Sequence, residues 1–161
     1  MGRRPNLKNV VKKFLSADET RPFLSKAHMQ EIDGVTYYAY CDGFKLAWSP
    51  IDFDFGVNES EHTIRFGNLI NTVQRKRGVV AIDTAFKTAL ETFIKEHKKR
   101  ERLPFVVDYK GYTIHVNPYY LKACLDFTEA TELVIDIGNE CAPLFMYGKE
   151  NRNALVLPIR K

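Results

Sequence analysis

Apolar residues recur at helical spacing near the start of the chain. Leu7, Val10, Val11, Phe14 and Leu15 form one stripe, and Lys8, Lys12 and Lys13 occupy the other face with no acid among them. This spacing predicts a helix over 7–16. The run Asp18-Glu19-Thr20-Arg21-Pro22 ends it, because the residue before a proline is driven out of helical φ/ψ. Residues 26–32 read as a strand. Asp33-Gly34 reads as a tight hairpin turn, since glycine accepts positive φ. Residues 35–41 are rich in β-branched and aromatic side chains and read as the second strand. Asp42-Gly43 turns the chain again, into a third strand over 44–48. The first part of the chain is therefore helix, strand, strand, strand.

The middle is less regular. Residues 52–56 read as a loop or irregular strand, 62–66 alternate as a strand would, and 68–73 fit either helix or strand. Arg75-Lys76-Arg77 is a basic cluster before Gly78. Asp83 is placed to cap a helix on which Phe86, Ala89, Leu90, Phe93, Ile94 and His97 keep one face. His97 on that stripe reads as a structural histidine rather than a ligand. Residues 98–102 put cations at the negative end of the helix dipole, and Pro104 stops it.

Residues 105–109 and 112–116 read as a hairpin over Lys110-Gly111. Asn117 as cap and Pro118 at the first helical position start a further helix. Its buried stripe is Leu121, Cys124 and Leu125, with Lys122 on another face. Strands follow over 132–137, 143–147 and 154–160, with turns at 138–139 and 148–153. The end of the chain thus repeats the order helix, strand, strand, strand: a duplication of topology rather than of sequence.

Composition adds limits. Hydrophobic residues at 45% and charged residues at 27% are enough for a real core. No apolar run reaches the length of a membrane span, and the basic N-terminus lacks the apolar core of a secretion signal. A cytoplasmic location is the expectation. Cys41, Cys124 and Cys141 are odd in number and lack CxxC spacing, so neither a disulfide framework nor a zinc site is indicated. A net charge of +4 permits contact with phosphate without requiring it. Phosphate-binding loops, dinucleotide fingerprints, zinc-protease motifs and nucleophile elbows are all missing from the sequence. His28, His62, His97 and His115 are scattered; Asp52 and Asp54 form a short acidic pair; Asp108 and Asp136 fall on different strands. Nothing here argues for an enzyme, a cofactor or a metal.

Two stretches carry a family resemblance. The hairpin over 105–116, then Glu132-Leu-Val-Ile-Asp-Ile-Gly138, Ala142-Pro-Leu-Phe-Met146 and the closing Ala154-Leu-Val-Leu-Pro-Ile-Arg-Lys161, resemble the last half of the last domain of bacterial DNA polymerase III β sliding clamps. In that family a similar closing strand forms one wall of the pocket that receives clamp-binding peptides. Upstream, Asp18-Glu19-Thr20-Arg21, the hairpin, and Tyr40-Cys-Asp-Gly-Phe-Lys-Leu-Ala47 are similar to the first half of a clamp's middle domain. The usual text there is Ala-Thr-Asp-Gly-His-Arg-Leu-Ala; this chain has Phe44 for the histidine and Lys45 for the arginine.

The resemblance implies an α+β, DNA-clamp-like fold: one domain over 1–161, with helix-plus-three-strand units at 7–49 and 104–160. Their two helices would pack together on antiparallel sheets, with 51–103 as an insertion lacking a family counterpart. It implies a processivity factor in DNA replication, not an enzyme, that encircles or grips double-stranded DNA without reading bases. DNA-facing candidates are Lys8, Lys12, Lys13 and Lys122, with Lys95, Lys98 and Lys99 from the insertion; for the lysines of the first helix, a solvated basic face is the usual explanation of the pattern and a DNA-facing helix the sharper one. DNA polymerase or other clamp-binding partners would be recruited by short peptides. The implied peptide pocket comprises Gly43, Phe44, Lys45 and Leu46 with Val156, Leu157, Pro158, Ile159 and Arg160. Clamp rings hold six domains, so a one-domain chain would need about six copies to close one, as a homo-oligomer. The alternative is an adaptor or decoy that keeps the pocket without encircling DNA.

Overall fold

Among the described residues, seven antiparallel strands form the main sheet, in the order β1-β2-β3-β9-β8-β7-β4. The computed structural model describes residues 6–16, 22–58, 77–139 and 141–159. The strand read at 62–66, the segment 68–73 and Arg160 lie outside them. The strands are β1 (His28–Ile32), β2 (Val35–Cys41), β3 (Lys45–Ser49), β4 (Arg77–Ala81), β5 (Phe105–Tyr109), β6 (Tyr112–Val116), β7 (Glu132–Asp136), β8 (Leu144–Tyr147) and β9 (Asn153–Val156). The described helices are α1 (Leu7–Lys12), α2 (Thr84–Glu96) and α3 (Pro118–Thr128).

Local chemistry accounts for most boundaries. The Asn6 side chain accepts from the Lys8 and Asn9 amides, and Asn117 does the same for Tyr119 and Tyr120 ahead of Pro118. Asp83 accepts from the Phe86 amide. Asp33 and Gly34 both have positive φ, 51° and 81°, as the tight turn between β1 and β2 requires. Several strands are a residue or two shorter than the sequence pattern predicts, and α1 and β9 fall furthest short of it. α1 ends at Lys12, and its last turn tightens as the Phe14 amide bonds the Val11 carbonyl. β9 ends at Val156 because Pro158, lacking an N–H, cannot continue a ladder.

The meanders β1-β2-β3 and β7-β8-β9 meet at β3 and β9, where Lys45 faces Val156 and Leu46 faces Leu155. Each is preceded by a helix, α1 or α3, and these two helices pack on one another over the same face of the sheet. Phe14 and Phe127, both fully buried, meet there with ring centroids 6.0 Å apart. Val11 and Leu121 are also fully buried, and Leu125 is partly buried. The segment read without a family counterpart supplies two elements of this fold. β4 pairs with β7 from Arg77–Asp136 to Ala81–Glu132, and α2 packs beside α3. The β5-β6 hairpin stands apart from the main sheet, and Phe105 fixes it to α2 by edge-on contacts with Phe86 and Phe93.

The other face of the sheet carries a second apolar cluster of Ala39, Leu46, Trp48, Val134, Phe145 and Leu155. With both faces covered, every residue of β3 and of β9 is buried. The acidic pair in the 52–56 loop is part of a turn: the Asp52 carboxylate accepts from the Asp54 amide at 2.9 Å. Phe53 and Phe55 beside it pack edge-on to Tyr40. Burial pushes the Tyr40 hydroxyl up to about 12, and that oxygen accepts from the Phe53 amide.

Candidate functional site

A cleft of about 1100 Å³ opens where four segments converge. One wall is the turn into β3, with Gly43 and Phe44. The facing wall is the extended tail after β9, with Leu157, Pro158 and Ile159. The start of α3, Asn117 to Tyr120, forms the floor, and the end of α2 with the turn behind it supplies Phe93, His97, Lys98, Lys99, Arg102 and Leu103. That volume lies slightly above the usual range for small-molecule pockets, roughly 300–1,000 Å³.

The walls are held by backbone hydrogen bonds. The Leu157 amide donates to the Phe44 carbonyl at 2.9 Å, one residue beyond the β3–β9 ladder. The Ile159 amide donates to the His115 carbonyl at 2.7 Å, tying the tail to the β5-β6 hairpin. Leu157, Ile159 and Phe44 stay large, apolar and open, at 40%, 41% and 54% exposure. Exposed apolar side chains grouped around a concavity are the composition of a docking site. Phe44 stacks on Tyr120 at 5.8 Å between ring centroids, with 26° between planes.

Lys45 points inward instead. It is 4% exposed, its ammonium bonds the Asp42 carboxylate, and it lies 4.3 Å from the Tyr120 ring centroid and 5.3 Å from that of Phe14. A buried charge needs such compensation. Asp42 also accepts from the Phe44 and Lys45 amides at 2.9 and 3.0 Å, so the same carboxylate shapes the turn. Burial, and then the Asp42 charge, raises the Tyr120 hydroxyl pKa above its ordinary value. Lys45 is therefore a support beneath the cleft floor. Val156, across the ladder from it, is fully buried in the core on the helix side. Leu46 belongs to the cluster on the opposite face of the sheet. Of the nine candidates, the structure brings Gly43, Phe44, Leu157, Pro158 and Ile159 into one cleft; Lys45, Leu46 and Val156 do not line it, and Arg160 lies outside the described residues.

Sequence reasoning missed the third wall. Phe93 and His97 read as core stripe, and Lys98 and Lys99 as cations for DNA. The signal available was the arrest of the stripe at His97, followed by four cations within five residues and a stray Leu103.

The basic candidates divide. Lys8 and Lys12 are exposed on α1 and Lys13 directly after it, with the Lys8 ammonium 5.4 Å from the Phe55 ring centroid. Lys122 on α3 is bonded to Asp126 at 2.7 Å, one turn away. A smaller groove of about 300 Å³ between α2 and α3 mixes Lys87, Lys122 and Lys149 with Glu91, Asp126 and Glu129, so its charges cancel. Lys95 is exposed on α2, while Lys98 and Lys99 border the cleft. Among the described residues no group of three His, Cys, Asp or Glu side chains is placed to hold a metal. Nor is any helix among them long and apolar enough to cross a membrane.

No protein-family model matches this sequence, and no curated protein matches it. Solved structures do match. The DNA polymerase sliding clamp of Pseudomonas aeruginosa superposes with a TM-score of 0.70 at 10% identity, over 96% of this chain and 64% of that one. The β sliding clamp of Caulobacter crescentus gives 0.68 at 14% identity, over 96% and 63%. The clamp of Bartonella birtlesii, solved with griselimycin bound, gives 0.67 at 13% identity, over 96% and 64%. This chain spans a little under two thirds of the length of these clamps. Its α+β architecture, with helices paired on antiparallel sheet, is the fold of the bacterial DNA polymerase III β sliding clamps.

Proposed function

We propose that this protein is a non-catalytic, clamp-type accessory factor of DNA replication that gathers partner proteins by holding their short peptides in the cleft. We read 7–49 and 104–160 as its two clamp-like halves. One observation carries the reading: in a clamp-type fold, the turn at Gly43 and Phe44 and the tail at Leu157 to Ile159 are opposite walls of one open, apolar cleft. The structure of the Caulobacter clamp has polyethylene glycol bound at a region suggested to tether β-motifs. A short peptide with Leu and Phe anchors should bind here at micromolar strength, about −8 kcal/mol. Leu157→Asp, which puts a charge on an exposed wall residue, should abolish that binding while leaving the circular dichroism spectrum and melting curve intact. Equal affinity in wild type and variant would remove the cleft from the account.

Contact with DNA would come from Lys8, Lys12 and Lys13, which are exposed on α1 and directly after it. Replacing all three with Glu should weaken duplex binding equally for every sequence. The salt slope should drop by about 0.9 for each phosphate that is no longer neutralised. Titrations at several salt concentrations read both effects, and unchanged affinity would mark these lysines as merely solvated. Among the described residues β1 and β4 end the strand order, and copies joined edge to edge through them would form the ring. The second reading, an adaptor or decoy without a ring, is favoured by the α2–α3 groove, where Lys122 is matched by Asp126 and cations equal anions. Light scattering separates the two: a closed oligomer supports the first, a monomer the second.

A further inference from the structure

We infer that the cleft selects an apolar peptide segment flanked by carboxylates, a choice made by its third wall. This rests on the reading of the cleft as a peptide site and names the ligand's chemistry. Lys98, Lys99 and Arg102 border the opening, with His97 beside them, and among the described residues no Asp or Glu lines it. The three cations are exposed and stand on a fixed turn rather than a frayed end. Residues Lys99–Glu101 form a short 3-10 turn, the Arg102 amide bonds the Lys99 carbonyl at 3.2 Å, and Arg102 closes the turn with a φ of 52°.

The nearest carboxylate on this turn is already engaged. Glu101 accepts from the Lys98 amide at 3.2 Å and lies 3.5 Å from His97 Nδ1. The Lys99 ammonium lies 5.4 Å from the ring centroid of Tyr119, which lines the cleft, so a positive charge sits directly at the apolar surface. A peptide whose apolar anchors fill the space between Phe44 and Leu157 would bring its flanking residues against this rim. Carboxylates there meet positive charge; lysines there would be repelled. The pairs are solvent-exposed, so each contributes modestly and all are screened by salt.

The experiment uses the full chain and two fluorescein-labelled peptides with the same Leu and Phe anchors, one flanked by Ser-Ser and one by Glu-Glu. At about 50 mM salt the acidic peptide should bind about tenfold more tightly, and at about 500 mM the advantage should shrink below about threefold. The variant Lys98→Gln, Lys99→Gln, Arg102→Gln should erase the advantage, so that the two peptides bind it equally; an unchanged melting curve verifies the fold, and a surviving preference for the acidic peptide overturns the inference. Equal binding of the two peptides by wild type overturns the inference but leaves the cleft a peptide site. Binding of neither overturns the reading of the cleft and the inference with it. If the variant loses duplex DNA affinity yet still prefers the acidic peptide, the rim belongs to DNA and the inference is overturned.

Discussion

Truncating Phe14 to alanine will destabilise this protein by about 3–5 kcal/mol, the cost of emptying a well-packed aromatic site. Phe14 is fully buried where α1 meets α3, with its ring against Phe127. It also forms one of the two ring faces beside the buried Lys45 ammonium, 5.3 Å from its centroid. Removal therefore leaves a cavity and strips part of the compensation for a charge that solvent cannot reach. The change is read as a lower urea midpoint at unchanged slope. Phe14→Leu, which keeps much of the volume, should fall well short of the alanine loss. The effect should reach the cleft as well, since Lys45 supports Tyr120 and Tyr120 supports Phe44. A loss below about 1 kcal/mol would show that α1 is only loosely docked and that the helix pair is not the centre of the fold.

Gly148→Ala should cost about 3 kcal/mol, the upper end of ordinary overpacking, and lower the melting temperature by roughly 6–12 °C in a chain of this size. The reason is space rather than backbone strain. A Cβ at Gly148 would stand 1.9 Å from the Thr128 carbonyl oxygen and 2.5 Å from its carbon, far inside contact distance. Those atoms belong to the last turn of α3, which is held on its own side: the Thr128 hydroxyl donates to the Cys124 carbonyl at 2.8 Å and accepts from the Ala130 amide at 3.2 Å. The glycine is held too, its amide donating to the Arg152 carbonyl at 2.9 Å. Two backbones would have to separate, carrying with them the ion pair between buried Arg152 and Glu129. Gly111→Ala is the contrast. A Cβ there meets nothing within 4 Å, and only its φ of 88° opposes the change. Near-equal melting temperatures for the two variants would mean that the approach of α3 to the β8–β9 turn relaxes without cost.

What the sequence determined by itself was local. Asn117-Pro118, Asp83 and Asp33-Gly34 set helix starts and a turn because their side chains and φ preferences act on neighbouring amides. The β5-β6 hairpin was legible to the residue for the same reason: its strands face each other across two turn residues. The walls at Phe44 and at Leu157 to Ile159 were legible only through a family's text, not through any periodicity. Tertiary structure decided the rest. β3 lies against β9, and β4 against β7, through contacts distant in sequence that no local preference encodes. Alternation along a strand tells which residues share a face, but β3 is buried on both faces. The pattern therefore could not tell that Lys45 turns under the cleft floor while Leu46 turns to the other side of the sheet. The basic wall of the cleft arose in the same way. Lys98, Lys99 and Arg102 follow an ordinary amphipathic helix, and only the packing of Phe86 and Phe93 around Phe105 swings that helix end to the mouth of the cleft.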